Sequence, residues 1–300
     1  MNALETELRA LLDGALEWNR PLAEFTSFRI GGPADIFLVV KDEEQLSTVM
    51  AAADRHSVPV FCLGAGTNLL VSDRGIRGLV LTLGPQFATV EVVGGEVSAG
   101  AAVQFRNLVE KVVELGLAGL EFGEGIPGTV GGGLVMNAGA FGGEIARVVT
   151  FVHGVTHTGE QRTLTNQDIG FAYRRSTLPR GFVITRVDFA LQPGDRDALW
   201  NRVCEIRTRR AARQPANYPN AGSVFKNPPA NFAGRLLEAA GFKGERIGQA
   251  AFSSEHANFI VNLGGARASE VRHLIELARE KVHQTTGVLL ETEVKLVGEW

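Results

Sequence analysis

The sequence predicts an α+β protein, in which helices and strands alternate irregularly along one chain. Two observations carry that reading. Apolar residues recur at the helical period in several separate stretches. Between them lie short runs rich in Val, Ile and Phe, bounded by glycine, proline or polar residues, which read as strands. A third feature organises both. The stretch from Gly119 to Ile145, GLEFGEGIPGTVGGGLVMNAGAFGGEI, holds nine glycines between Gly123 and Gly143, against 36 in all 300 residues.

The elements follow in order. Residues 4–16 form a helix with Leu4, Leu8, Leu11 and Leu12 on one face. Thr26-Ser-Phe-Arg-Ile-Gly-Gly-Pro-Ala-Asp35 reads as a strand ending in a Gly-Gly-Pro turn. A short strand at 37–40 and a helix at 42–55 come next. The apolar strand 58–63 runs into Gly64-Ala-Gly-Thr-Asn-Leu-Leu-Val-Ser-Asp73. A strand that breaks there offers unpaired N–H groups suited to a pyrophosphate; the alternative is an ordinary strand–loop–strand turn. A strand at 79–83 and a hairpin at 88–98, turning at Gly94-Gly95, precede a helix at 101–115 with Val103, Leu108, Val112 and Leu115 inward. Strands follow the glycine-rich stretch at 148–155 and 182–191.

The helix 195–213 carries Leu199, Val203 and Ile206 inward and ends in Arg207, Arg209, Arg210 and Arg213. Cations suit a helix C-terminus, so most of these read as a solvated cap. Residues 214–229 read as a loop between domains, followed by a helix at 232–240. The last helix, 269–286, has Ser269 as N-cap, Gly287 as stop, and Val271, Leu274, Ile275, Ala278 and Val282 as its stripe. A final strand, 289–297, places Glu291 and Glu293 on one face.

Composition removes several classes. Net charge is −3, with 30 Lys+Arg and 33 Asp+Glu, so no basic field attracts nucleic acid. No run approaches 18 apolar residues, the first helix is charged and unlike a signal peptide, and a cytoplasmic protein without membrane contact is expected. Cys62 and Cys204 make no disulfide framework and read as buried free thiols. No metal motif is present, and the six histidines form no cluster, so no metal site and no His-based triad is expected.

Buried glycine-rich backbone needs a reason, since glycine loses the most entropy on folding. One reason is close approach of backbone to a flat or phosphorylated ligand; the other is tight turns in a β-rich core. Gly123-Glu-Gly125-Ile-Pro-Gly128 is a literal G-x-G-x-x-G. Glu144, at the right distance, follows Gly142-Gly143 and not an apolar strand, which rejects a Rossmann site. No P-loop and no Gly-x-Ser-x-Gly elbow exists.

GIPGTVGG followed by MNAGAFGGEI resembles the flavin-binding signature of the UDP-N-acetylenolpyruvoylglucosamine reductase (MurB) family. The likeness continues in Thr26 to Asp35, Gly64 to Asp73, Gly75 to Gly78, Phe171-Ala-Tyr-Arg-Arg-Ser176 and Ala221-Gly-Ser-Val-Phe-Lys-Asn-Pro228, spanning about residues 25–297. It implies an FAD-binding fold of two small subdomains, of the vanillyl-alcohol-oxidase/PCMH type, with a C-terminal α+β substrate domain. The expected divisions are 1–78, 79–194 and 195–300, the last strand packing back on the FAD domain.

The resemblance also implies roles. Non-covalent FAD would lie against Gly64, Ala65, Gly66, Thr67, Asn68, Leu69 and Leu70. It would also meet Gly125, Pro127, Gly128, Thr129, Gly132 and Gly133, then Asn137, Ala138, Gly139, Gly143, Glu144 and Ile145. Ser223 maps to the family's proton donor, Glu293 to its catalytic glutamate and Arg174 to its Tyr-Arg pair. Tyr173, Arg213, Asn227 and Gln249 are candidates for holding the UDP-sugar.

The implied reaction is a two-electron reduction of UDP-N-acetylglucosamine-enolpyruvate by NADPH through FAD, with hydride added at C3 and a proton at C2. It belongs to peptidoglycan precursor synthesis, and a monomer is expected. Departures from the family pattern are Asn220 where Ser is frequent, Arg175 where Asp is frequent, and Gly133 where Ala is common. The short span from Arg174 to Ser223 looks like the compact branch, which lacks an inserted Tyr-bearing loop. The alternatives are an FAD oxidase or dehydrogenase of the same fold, and a non-catalytic nucleotide-sugar-binding module that would purify colourless.

Overall fold

The computed structural model describes residues 3–12, 16–215 and 217–300. The chain divides into two compact units. Unit 1 comprises Met1–Trp18, Ile36–Ala65 and Gly78–Arg209; unit 2 comprises Asn19–Asp35, Gly66–Arg77 and Arg210–Trp300.

Unit 1 opens with helix α1 (Ala3–Leu12); the last residues of the helix expected at 4–16 lie partly outside the described ones. Helix α2 (Glu43–Arg55) begins at Asp42, whose carboxylate accepts from the Gln45 N–H at 2.8 Å. Leu4 and Leu8 of α1 and Leu46, Val49 and Met50 of α2 pack with Ile36, Leu38, Leu79 and Leu81 in one core. Strands Val60–Cys62 and Ile76–Leu83 pair in parallel beside them.

The second core of unit 1 lies against a five-stranded antiparallel sheet in the order Gln161–Thr165, Val149–Val155, Val183–Ala190, Glu96–Gly100, Val90–Val93. Helix α3 (Phe105–Glu114) covers it with Leu108, Val109, Val112 and Val113, all fully buried. The expected start at 101 is four residues early, because Ala101 and Ala102 are held by Thr185 and Phe87 carbonyls. Leu115, expected inward, is the exposed C-cap.

Helix α4 (Val130–Val135) sits inside the glycine-rich stretch, where three consecutive glycines give no helical signal. The Thr129 hydroxyl caps it by accepting from Gly132 N–H at 3.2 Å, and burial of Val130 and Leu134 holds it. Helix α5 (Arg196–Ala211) buries Val203 and Ile206 as expected. Arg209 and Arg213 are exposed, as a solvated cap would be, but Arg207 is not part of one. Arg207 donates from Nε to Glu124 at 2.8 Å and from Nη2 to Glu110 at 2.9 Å, and Arg209 pairs with Glu205 at 2.6 Å.

Glu124 is 2% exposed and sits between Gly123 and Gly125, so this ion pair ties the glycine stretch to α5. Arg207→Ala leaves a buried carboxylate without its cation. Its cost should be about 2 kcal/mol, below the fully buried limit because the arginine is partly exposed. Denaturant unfolding measures it, and Arg207→Lys should recover part of the loss; an unchanged midpoint for Arg207→Ala would refute the anchoring role.

Unit 2 is built on an antiparallel sheet ordered Asn220–Ser223, Phe259–Asn262, Ala250–Phe252, Arg246–Ile247. Helices α6 (Ala233–Ala239) and α7 (Ala268–Thr286) cover it, and the whole expected stripe of α7 is buried. The N-cap is Arg267, not Ser269, because two carboxylates satisfy the first N–H groups. Glu270 accepts from Arg267 N, and Asp73 accepts from Ala268 N at 2.7 Å and Ser269 N at 3.0 Å. Partial burial opposes charge on Asp73, but the N–H groups of Ser269 and Ala268, the Ser269 hydroxyl and Arg267 outweigh it and hold the carboxyl below its usual range. Gly287, at φ 73°, ends the helix.

The final strand is only Lys295–Val297, parallel to Leu69–Val71. Residues 289–294 are not a regular strand, so Glu291 and Glu293 do not share a strand face. Glu293 N and Lys226 N instead bond to Val224 O and Glu291 O across an isolated bridge between Phe225 and Thr292.

Candidate active site

In unit 1 the elements leave a cavity of about 250 Å³. One wall is the end of strand Val60–Cys62 with Leu63, Gly64 and Ala65; another is Thr129, Gly131, Gly132 and Val135. Phe182 to Ile184 and Ala101 close it. A Cβ added at Gly132 would meet only the Thr129 hydroxyl, at 3.4 Å, and one at Gly64 only the same hydroxyl, at 3.1 Å. Apart from that hydroxyl, bare backbone borders the cavity at both positions, which is the wall a flat cofactor with phosphates needs.

Cys62 opens onto this cavity and is not buried as expected; Cys204 is exposed as well, on α5. Desolvation by the surrounding wall pushes the thiol up to about 12, so it is protonated at neutral pH.

Other glycines of the same stretch are explained by the chain itself. At Gly139 a Cβ would lie 2.6 Å from Gly143 O and 2.8 Å from Glu144 Cβ, and at Gly143 it would lie 2.5 Å from the Phe122 ring. These two residues lie on the small ladder of Gly139–Ala140 with Gly143–Glu144. A Cβ at Gly133 would meet Ile145 Cδ1 at 3.1 Å; Ala138 and Ile145 are buried beside it. Gly125 and Gly128 take φ of 70° and 121°, flanking Ile126 and Pro127.

Asn137 is buried with φ 40°. Its Nδ2 donates to Glu144 Oε2 at 3.2 Å and to Ala172 O at 3.1 Å, while its Oδ1 accepts from Ala146 N at 3.1 Å. Ser176 adds a hydroxyl bond to Val135 O at 3.0 Å. Both bonds fix a hairpin, Gly170–Ala172 with Arg175–Thr177, against the glycine stretch. Tyr173 and Arg174 are its two turn residues, since Ala172 pairs with Arg175. Arg174 is held at φ 56°, a conformation that L residues adopt at a cost, and its guanidinium lies 5.1 Å from the Tyr173 ring. Ser176 lies in the motif shared with the family, but nothing in its sequence signals this bond.

In unit 2 the loop after Ala65 continues with Gly66, whose φ is 63° and whose added Cβ would lie 2.1 Å from Phe25 O. Asn68 Nδ2 donates to Glu293 O at 3.1 Å, and Lys295 N donates to Asn68 O at 2.9 Å. Leu69 and Leu70 then enter the parallel pair with Lys295 and Leu296, and Thr67 precedes Asn68 in the same loop. Ser223 ends the first strand of the sheet, and Glu293 N bonds to the carbonyl of its neighbour Val224 at 2.8 Å. Ser223 and Glu293 thus stand on adjoining segments, with Asn68 beside them.

The four substrate candidates are placed differently. Asn227 Oδ1 caps α6 by accepting from Ala233 N at 3.0 Å, so that oxygen is occupied by the fold. Gln249 Oε1 accepts from Arg246 at 3.0 Å on the exposed end of the sheet. Arg213 is exposed in the turn after α5, and Tyr173 is exposed at its hairpin tip.

Residues 34–165 match the FAD binding domain model, and residues 214–297 match that of the UDP-N-acetylenolpyruvoylglucosamine reductase C-terminal domain. A reductase of that name from Symbiobacterium thermophilum is 46% identical, covering 99% of this chain and 98% of its own length. The chain belongs to the UDP-N-acetylenolpyruvoylglucosamine reductase family. Another member, from Halalkalibacterium halodurans, is 40% identical over the whole of both chains. Among solved structures, the reductase of Thermus caldophilus matches with a TM-score of 0.82 at 36% identity, over 94% of this chain and 97% of that one. The family's α+β, FAD-binding fold is therefore that of this chain.

Proposed function

We propose that the protein is the flavoenzyme that reduces UDP-N-acetylglucosamine-enolpyruvate to UDP-N-acetylmuramate with NADPH, in peptidoglycan precursor synthesis. The observation that supports this best is end-to-end relatedness to reductases of that name at 40–46% identity. The bare-backbone cavity wall at Gly64 and Gly132 fits FAD. When bound, FAD supplies a two-electron hydride relay between NADPH and the enolpyruvyl double bond.

The chain's own residues do the rest. The backbone of 64–70 and 125–145 holds the cofactor, with Asn137 keeping the second segment in shape. Hydride arrival at C3 leaves negative charge spread from C2 into the substrate carboxylate. Arg174, fixed at its hairpin turn, donates to that charge. Glu293 handles a proton near the same carboxylate. Ser223 Oγ gives the final proton to C2. Tyr173, Arg213, Asn227 and Gln249 contribute to holding the UDP-sugar. Functionally, residues 1–78 and 79–194 serve the cofactor and 195–300 the substrate.

The enzyme works as a monomer in the cytoplasm. No helix among the described residues is long and apolar enough to cross a membrane.

The purified protein should be yellow, with flavin released by mild denaturation because the link is not covalent. Absorbance before and after reconstitution with FAD tests this. A protein that stays colourless in both would reject the reading in favour of a nucleotide-sugar-binding module.

A further inference from the structure

We infer that Asn220 is a positioning residue for the proton donor: its side chain folds the β-bulge that aims Ser223, and the Ser27 hydroxyl braces it. The inference rests on the function proposed above. It starts from a break in register. Asn220 pairs with Val261 and Ser223 with Phe259, so three steps on one strand oppose two on the other. The extra residue is a bulge, a device that bends a strand and re-aims the side chain that follows. Gly222 sits in it at φ 75°, with open space where a Cβ would be, so its glycine answers to backbone conformation and not to crowding.

Four bonds on Asn220 fix the bulge, one of them from Nδ2 to Pro215 O at 3.4 Å. Its Oδ1 accepts from Gly222 N at 3.0 Å, the side-chain turn that Asn forms two residues ahead. Its Nδ2 donates to Tyr218 O at 2.9 Å, closing the turn on the preceding side. Its carbonyl accepts from Ser27 Oγ at 2.7 Å. Ser27 is itself set by a backbone bond from its N–H to Gly66 O at 3.2 Å, and Gly66 is pressed onto Phe25 and Thr26. Thr26 closes that segment through its hydroxyl and Ile30.

A single chain of contacts therefore runs from the 64–70 loop through Ser27 and Asn220 to Ser223. Among the described residues no hydrogen bond reaches the Ser223 side chain, so its direction follows from the backbone that carries it. Displacing a reacting group by about 1 Å can cost about 100-fold in rate.

The test compares Asn220→Ala, Asn220→Ser and Ser27→Ala with the unaltered protein. Amide hydrogen exchange at Gly222 in flavin-free protein should quicken in Asn220→Ala, because the acceptor for that N–H is gone. In the reconstituted enzyme, reduction by NADPH and FAD affinity by fluorescence titration should be unchanged. Reoxidation by the enolpyruvyl substrate should slow about 10- to 100-fold. Its solvent deuterium isotope effect should rise, as expected when proton delivery becomes limiting. Ser at 220 keeps a shorter acceptor for Gly222 N and should recover part of the rate; Ser27→Ala should show the same split with a smaller loss. Equal slowing of both halves, unchanged Gly222 exchange, or an unslowed substrate half overturns the inference. If the unaltered protein is not reoxidised by the substrate at all, it is the proposed function that fails.

Discussion

Ser223→Ala should leave NADPH reduction of the flavin almost intact and slow reoxidation by the enolpyruvyl substrate by about 10²–10⁴-fold, the scale of a lost general acid. As the proposed proton donor, Ser223 would be needed only once substrate is bound. It lies in unit 2, whereas the glycine-walled cavity lies in unit 1. Ser223→Cys keeps a protonated donor of similar shape and should lose less. Anaerobic rapid mixing, following flavin absorbance in each half separately, measures both. Equal slowing of the two halves would show Ser223 to be structural, and Glu293, on the adjoining segment, would be the next donor to test.

Gly132→Val and Gly139→Val should fail in opposite ways. At Gly132 the new side chain meets only the Thr129 hydroxyl and then fills the cavity. FAD affinity should fall about 10- to 100-fold, the equivalent of roughly 1–3 kcal/mol of overpacking, with little change in the melting temperature of flavin-free protein. At Gly139 the added carbon strikes Gly143 O and Glu144, so the ladder itself must move. Apo-protein stability should drop by about 1–3 kcal/mol, and flavin should be lost with it. Fluorescence titration and thermal unfolding of each variant read the two effects. Loss of fold at Gly132 would mean that its glycine, too, is there for packing.

Those glycines show where the sequence was legible. Glycine density announced close approach but not what approaches. Gly132 borders the cavity, whereas Gly66, Gly139 and Gly143 face their own chain, and only a folded backbone distinguishes them. Helices α2, α3, α5 and α7 were readable because Val112 or Leu274 recurs at the period of a buried stripe. Helix α4 was not, since Gly131 to Gly133 carry no propensity and a cap with tertiary burial overrides it.

The last strand was over-read. Alternation in 289–294 suggested a ladder, yet that segment meets Val224 to Lys226 through scattered bonds, a pairing no local pattern encodes. The bulge before Ser223 was equally silent, because register is a property of two strands. Arg207 was misjudged for a related reason: its partners, Glu110 and Glu124, are distant in sequence.

The interleaving of the two units sets a schedule for synthesis. Leu69–Val71 pairs with Lys295–Val297, so an early strand waits for the end of the chain. At ~5–20 residues per second, the ribosome needs roughly 10–50 s to make the intervening segment. During that interval Leu69, Leu70 and Val71 have an unsatisfied edge in a nascent chain, and Phe28 and Ile30 lack the core they share with Val224 and Leu274. Such exposed apolar segments are what holdase chaperones bind and what aggregation recruits. A fragment ending before residue 220 would carry this liability permanently, so truncated expression should yield inclusion bodies and not a soluble cofactor-binding half.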